Sequence, residues 1–531
     1  MINNRAMKLL DRYKEMSPLP DVGDFIFLFV IYLALFVLPN MLFADGSTGW
    51  HLVAGDYILT MGAVPYTDLI SYTAQDKAWV AYEWFFDAFI ALLNNLGGTN
   101  LIAVVLVSIL GFIFLYIYDR ARQANCNIAV ASFLVVVAIL VSAMHWLARP
   151  HLFEYVGLLV FVHFLSLFYR NEIKYKTLFA ILIPTMVFWT NSHPSFALGI
   201  IVTGIYLTVV AGQFFLSTDK EVSGRARSKS LVLLALIGAL SLSTLINPYG
   251  IKLHLYILSY LEGQEILKAT NEYMSPVFHG GLHATCLEIL FIAFIAGLAM
   301  KRRIDTPTLL LCLAFGHASL ASVRNMPVFA MVATPVIAYL LGKDETPASE
   351  ESEESENSQN CKMPFLSKII NTAKEFDEQE KLCKMHLMPM VVSLVLVIAS
   401  LNGGSLAGIK ILNSGFDKMS MPVATLDYLK ENALLQKRGF NYDNWGGYIS
   451  YKLKTRVFID DRADFYGHKL YYDYSKVMAT GEGWEDTLSS FAVDWILFPK
   501  DSDLARSLAK HKDWRLVKSD QASSLFIKKL E

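Results

Sequence analysis

Apolar runs long enough to cross a bilayer recur along nearly the whole sequence, at residues 25–43, 101–118, 128–147, 152–169, 178–190, 196–216, 231–246, 284–300, 307–323, 327–341 and 387–401. Roughly 17 to 25 apolar residues traverse the hydrocarbon core as a helix, so the pattern predicts about eleven spans. Inside lipid every backbone N–H and C=O needs an internal partner, which leaves the α-helix as the solution for such runs. The chain is 54% hydrophobic and 18% charged, too apolar for one soluble domain. The polar stretch MINNRAMKLLDRYKEM before the first run is too long and too poorly matched at its far end for a cleaved signal peptide, so the first run is expected to stay as an anchor.

Basic residues near span ends are retained in the cytoplasm, and here they alternate with the spans. Arg5, Lys8, Arg12 and Lys14, then Arg120 and Arg122, Arg170, Lys174 and Lys176, Arg225, Arg227 and Lys229, and Lys301, Arg302 and Arg303 all fall on one side. The other side receives residues 45–98, the turns at Arg149, Asn191 and Arg324, residues 247–283 and everything after 401. The N-terminus is therefore expected in the cytoplasm and the C-terminal part outside. The implied organisation is a transmembrane domain over 1–342 with a large first exterior loop, 44–98, then an acidic, serine-rich loop over 343–386. A last span follows at 387–403, and a small exterior α/β domain at 404–531. The loop carries ETPASEESEESENSQN, a composition that cannot bury apolar surface and predicts cytoplasmic disorder. In the last domain YISYKL, TRVFIDD, VDWILFP and SSLFIKK read as strands, while KLYYDYSKVMA and DLARSLAKH have helical spacing.

A net charge of −2 argues against a nucleic-acid partner or a polybasic lipid anchor. Cys126, Cys286, Cys312, Cys361 and Cys383 show no CxxC and no paired spacing in the exterior domain, so neither a disulfide framework nor a zinc site is indicated.

The exterior turns carry ionisable groups at the membrane boundary: FADGSTGWHL, AYEWFFD, HWLARPHLF, WTNSHPSF, INPYG with NEYMSP, and SVRNMP. Such groups are costly at that depth unless they face protein or water, so their clustering predicts a polar cavity. It would hold Asp45, His51, Glu83, Arg149, His151, His193, Glu272 and Arg324, with Asp68 and Asn247 as further candidates. A carboxylate there can accept a proton from an attacking hydroxyl or hold a divalent metal, and Arg or His⁺ can stabilise departing phosphate oxygens.

The run DGSTGWHLVAGDYILTMGAVPYTDLISYT with AWVAYEWFFD, then ARPHLF, NSHPSF, NPYG and VRNMPVFA, resembles bacterial multi-pass proteins of the GT-C glycosyltransferase superfamily. The likeness covers most of the chain, including the GGY and FIDDRADFY stretch. It implies a GT-C-like polytopic α-helical membrane protein. Its donor would be a sugar on polyprenyl phosphate, used at the extracytoplasmic face of the cell membrane. The acceptor would be a lipid-linked glycan, a polysaccharide or a protein. The resemblance gives Asp45 the role of base or metal ligand; the residues themselves make Glu83 a second candidate catalytic carboxylate and Mg or Mn the cation to expect. His51, Arg149, His151, His193 and Arg324 would meet the donor phosphate. Two positions depart from the pattern: Gly49 precedes Trp50 where a second Trp is usual, and Tyr82 stands where a His is expected before Glu83.

Simpler readings accompany several of these residues. Asp45 could cap the helix beginning near Thr48, and Asp68 could form a turn. Trp50, Trp79, Trp84, Trp146 and Trp189 fit an interfacial aromatic belt. Asp460, Asp461, Arg462 and Asp464 fit a salt-bridged loop, and Gly446 and Gly447 a tight turn with close approach. Two rival functions are a transporter or flippase for lipid-linked glycans and a non-catalytic envelope-assembly protein.

Overall fold

The computed structural model describes residues 18–262, 271–300, 302–342, 376–377, 379–380, 385–432 and 434–529. The basic N-terminal cluster, Lys301 and most of the acidic 343–386 segment lie outside them. Every predicted span falls on an apolar helix. Among the described residues six helices are long and apolar enough to cross a membrane: Trp84–Gln123, Ile128–His145, His151–Tyr169, Pro194–Leu216, Lys220–Ser243 and Val323–Leu341. Five shorter apolar helices, Val22–Val37, Tyr175–Thr190, Leu282–Leu298, Thr306–Ala321 and Leu387–Leu401, coincide with the other predicted runs.

The chain forms two compact units. The first comprises Met1–Leu33, Val107–His145 and Glu272–Ile398, and the second Ala34–Leu106, Trp146–Asn271 and Ala399–Glu531. In the first, side chains set the helix starts. Asp21 accepts from the Asp24 N–H, Asn127 from Ala129 and Asp305 from Thr308, each satisfying an amide that a helix N-terminus leaves without a partner. The apolar faces of Ile128–Ser142, Leu282–Leu298 and Met326–Leu341 pack together around Leu134, Leu290 and Phe329. Arg122 is buried and paired with Glu380 and Asp377, at 2.9 and 2.7 Å.

The second unit combines helices of the predicted membrane domain with the whole C-terminal region. The segment 44–98 contains the helix Ser47–Met61, closed by Gly62 in the left-handed region, and the first part of the helix Trp84–Gln123. That long helix is broken at Gly97 and Gly98, where the backbone leaves helical geometry. The C-terminal sheet runs, in spatial order, Gly439–Asn441, Trp495–Pro499, Ser523–Lys528 and Trp514–Ser519. The first pair is parallel and the others antiparallel. VDWILFP and SSLFIKK are thus strands as expected, and both predicted helices form, as His468–Met478 and Asp503–Leu508.

Two expectations in this region are corrected. YISYKL belongs to the helix Asp443–Leu453, and TRVFIDD makes only an isolated bridge, Val457 to Ser71. Gly446 and Gly447 therefore sit inside a helix and not in a turn. The close approach is nevertheless real: a Cβ on Gly49 would lie 2.3 Å from the Gly447 carbonyl carbon, and one on Gly447 would lie 2.7 Å from the Gly46 oxygen. The helices Ser47–Met61 and Asp443–Leu453 thus cross with their backbones in contact, which requires glycine on both sides. That crossing brings the C-terminal region against the 44–98 segment.

Candidate functional site

Leu42 to Ser47 forms the floor of the site. The Leu42 carbonyl accepts from the Ala148 amide, and Thr48 Oγ1 donates to the Ala148 oxygen, so the Trp146–Arg149 turn is tied to the start of the helix Ser47–Met61. Arg149 thereby reaches Asp45. Its Nη2 pairs with Asp45 Oδ2, its Nε donates to Ser47 Oγ at 2.7 Å, and Nη2 lies 3.8 Å from Asp461 Oδ2. Asp45 Oδ1 also accepts from the Ser47 amide at 2.9 Å. The capping and functional readings of Asp45 thus use different oxygens of one carboxylate. Burial and the nearby Asp45 push Asp461 well above the usual carboxylate range, which lowers the negative charge opposing an anion at Arg149.

One turn further along the helix, His51 is buried with Nδ1 at 2.6 Å from Asp87 Oδ1 and Nε2 at 4.0 Å from Glu83 Oε2. Burial, with Arg149, Arg462 and His151 as neighbouring cations, lowers His51 well below its ordinary value, so the imidazole is neutral. With Nε2–H directed at the Glu83 carboxylate, Nδ1 is left to accept from Asp87 in its carboxylic-acid form. Glu83 precedes the helix Trp84–Gln123 and Asp87 lies in its first turn, four residues apart and therefore on one face.

The third group is Asp68–Arg462–Asp460. Asp68 accepts from the amides of Ile70 and Ser71 and from Ser71 Oγ, as the turn reading requires, and also from Arg462 Nη2 at 2.7 Å. Asp460 holds the same guanidinium through Nε at 2.8 Å and Nη2 at 2.6 Å, and Tyr466 donates its hydroxyl to Asp460 Oδ2. Backbone bonds from Tyr72 to Val457 and from Val457 to Ile70 bring the loop and the C-terminal segment together. The salt-bridged-loop reading of this cluster is right about the pairing, but the pair is fully buried and spans two distant segments. The side chain of Asp464 lies outside the described ones.

Other candidates sit elsewhere. His193 caps the short helix Pro194–Phe196 and lies 3.3 Å from Glu154. His151 meets Tyr155 edge to face. Asn247 shapes a turn, accepting from the Tyr249 amide and donating to the Thr244 and Gly250 oxygens. Glu272 and Arg324 belong to the first unit, where they face each other at 3.7 Å and Arg324 donates to the Tyr273 hydroxyl. Sequence reasoning missed Asp87, whose signal was the four-residue spacing to Glu83. It also discounted Arg462 and Asp461, whose partners are remote in sequence. The aromatic-belt reading is corrected for Trp50, Trp79, Trp146 and Trp189, all buried within the protein.

Asp45 is a poor metal anchor as arranged: one oxygen holds Ser47 N–H, the other holds Arg149, and the guanidinium occupies the space between Asp45 and Asp461. Among the described residues the grouping with metal-like spacing is Asp21, Asp119 and His386, in the first unit. There the imidazole already fills the centre, hydrogen-bonded to Asp24 and Asp119.

No family model matches the chain, and no curated protein matches it in sequence. Its fold is similar to that of solved archaeal enzymes. The apo oligosaccharyltransferase of Archaeoglobus fulgidus superposes with a TM-score of 0.53 at 13% identity, covering 89% of this chain and 69% of that one. The AglB oligosaccharyltransferase of the same archaeon, in complex with an inhibitory peptide and a dolichol-phosphate, matches with a TM-score of 0.53 and 13% identity over 90% of this chain and 69% of that one. The fold is of the GT-C type.

Proposed function

We propose that this protein is a membrane glycosyltransferase. It moves a sugar from a polyprenyl-phosphate donor to a glycan, lipid or protein acceptor at the extracytoplasmic face of the cell membrane. The observation that carries the reading is the gathering, at the first two turns of the helix Ser47–Met61, of a phosphate-ready arginine held by Asp45 and a carboxyl–imidazole–carboxyl chain, Glu83–His51–Asp87. The GT-C fold supports it.

The roles divide by chemistry. Arg149 meets the donor phosphate and stabilises the charge that grows on it as the glycosidic bond breaks, while Asp45 and Ser47 orient the guanidinium. Glu83 accepts the proton of the attacking group, and neutral His51, held by Asp87, positions Glu83. No step requires a metal at Asp45. The test is transfer by the purified protein in proteoliposomes supplied with a short-chain polyprenyl-phosphate sugar and a panel of glycan and peptide acceptors. Glu83→Gln should abolish product while leaving donor binding intact. Full transfer by that variant would remove Glu83 from the chemistry, and no transfer with any acceptor by the wild type would overturn the reading.

A further inference from the structure

Trp50, Trp79, Tyr82, Glu83, Tyr256 and Arg462 line a narrow, partly open cleft in the second unit, with room for about one water. Its walls are aromatic: Trp50 and Trp79 meet edge to face at 6.1 Å, and Tyr82 and Tyr256 lie 5.8 Å apart. The Arg462 guanidinium stacks on Trp79 at 4.5 Å. Two buried donors on these lining side chains, Arg462 Nη1 and Trp50 Nε1, have no hydrogen-bond partner among the described residues. A buried N–H without an acceptor is costly, so two on lining side chains of one cleft point to an acceptor oxygen as the group the cleft would take.

The charge balance selects the acceptor. Arg462 already faces Asp68 and Asp460, and Glu83 adds a third carboxylate at the cleft, so the local charge is negative and a phosphate or carboxylate ligand is disfavoured. A neutral carbonyl suits both donors. Aromatic walls suit the C–H faces of a sugar ring.

We infer that the cleft is a subsite for an acylamino sugar, whose amide oxygen accepts from Arg462 and Trp50 while its ring lies among the tryptophan and tyrosine rings. The sugar is the one carried by the donor, so this inference rests on the lipid-donor reading above. The cleft as it stands admits about one water, so seating the ring requires the partly exposed Tyr82 side chain to swing away and open it.

The test measures binding, not transfer. Tryptophan fluorescence of the purified protein in detergent is titrated with farnesyl-phosphate N-acetylglucosamine, farnesyl-phosphate glucose and farnesyl phosphate. The acylamino ligand should bind at least tenfold more tightly than the glucosyl one. Arg462→Lys, which keeps a cation between Asp68 and Asp460, and Trp50→Phe, which keeps the aromatic wall, should each erase that preference with farnesyl phosphate binding unchanged. Thermal unfolding verifies that each variant folds, and either variant alone suffices. Equal binding of the two sugars by the wild type, with farnesyl phosphate still bound, overturns the subsite and leaves the glycosyltransferase reading standing. Failure to bind any of the three ligands overturns the lipid-donor reading and the subsite with it.

Discussion

Arg149 has the clearest consequence at the level of single residues, because its guanidinium is oriented by Asp45 and Ser47 before any ligand arrives. Such preorganised charge is worth most where charge develops in the transition state. Arg149→Ala should lower transfer more than tenfold, equivalent to at least about 1.4 kcal/mol, and Arg149→Lys should rescue only in part, since an ammonium cannot reproduce the planar fork. Steady-state transfer rates in proteoliposomes decide it, and unchanged rates would mean the phosphate is met elsewhere. Asp45→Asn offers a sharper separation. It keeps an oxygen for the Ser47 amide but loses the ion pair, so helix stability should hold while donor affinity falls. A fall in melting temperature with normal donor binding would leave Asp45 only as a cap.

Between elements, the crossing of Ser47–Met61 and Asp443–Leu453 is the contact most sensitive to volume. Gly447→Val would drive a side chain into the Gly46 oxygen, and overpacking of that kind costs about 1–3 kcal/mol. Gly204→Ala, within a helix and with open space around its Cβ, should be neutral or slightly stabilising. Thermal unfolding in detergent should separate the two variants, and equal melting temperatures would refute the backbone contact. The His386 cluster gives a pH signature. Burial opposes its charge, yet hydrogen bonds to Asp119 and Asp24 outweigh that and push His386 up from 6.5 to about 10. A folded-state value above the unfolded one means the contribution is full below about pH 6.5 and is lost as pH rises toward about 10. Melting temperature should fall across that window in the wild type, and His386→Gln should flatten the fall.

On the scale of the whole molecule the open quantity is topology. The alternation of basic loops requires residues 63–78 and those after 401 on one side of the membrane and 350–360 on the other. A reporter active only outside the cytoplasm should be active when fused at the first two positions and silent at the third. The reverse pattern would put Asp45, Glu83 and Arg149 in the cytoplasm and remove the extracytoplasmic donor from the proposal.

Hydropathy alone found the apolar helices, because the bilayer demands length and composition that the residues carry locally. The same local logic exposed Asp45, Glu83 and Arg149, since charge at the edge of an apolar run is conspicuous. The sequence also carried the strands Trp495–Pro499 and Ser523–Lys528, whose apolar stretches lie in the sheet core. Tertiary structure decided the rest. YISYKL alternates like a strand, but Gly446 and Gly447 let it pack as a helix against another backbone, and close packing overrides propensity. Arg462 looked like a surface loop residue because its partner Asp68 lies 394 positions away, and only folding buries the two together. Trp50 and Trp79 fitted the membrane edge by position; whether a tryptophan faces lipid or closes a protein cleft depends on what packs against it, and that is set by chain segments no local pattern can see.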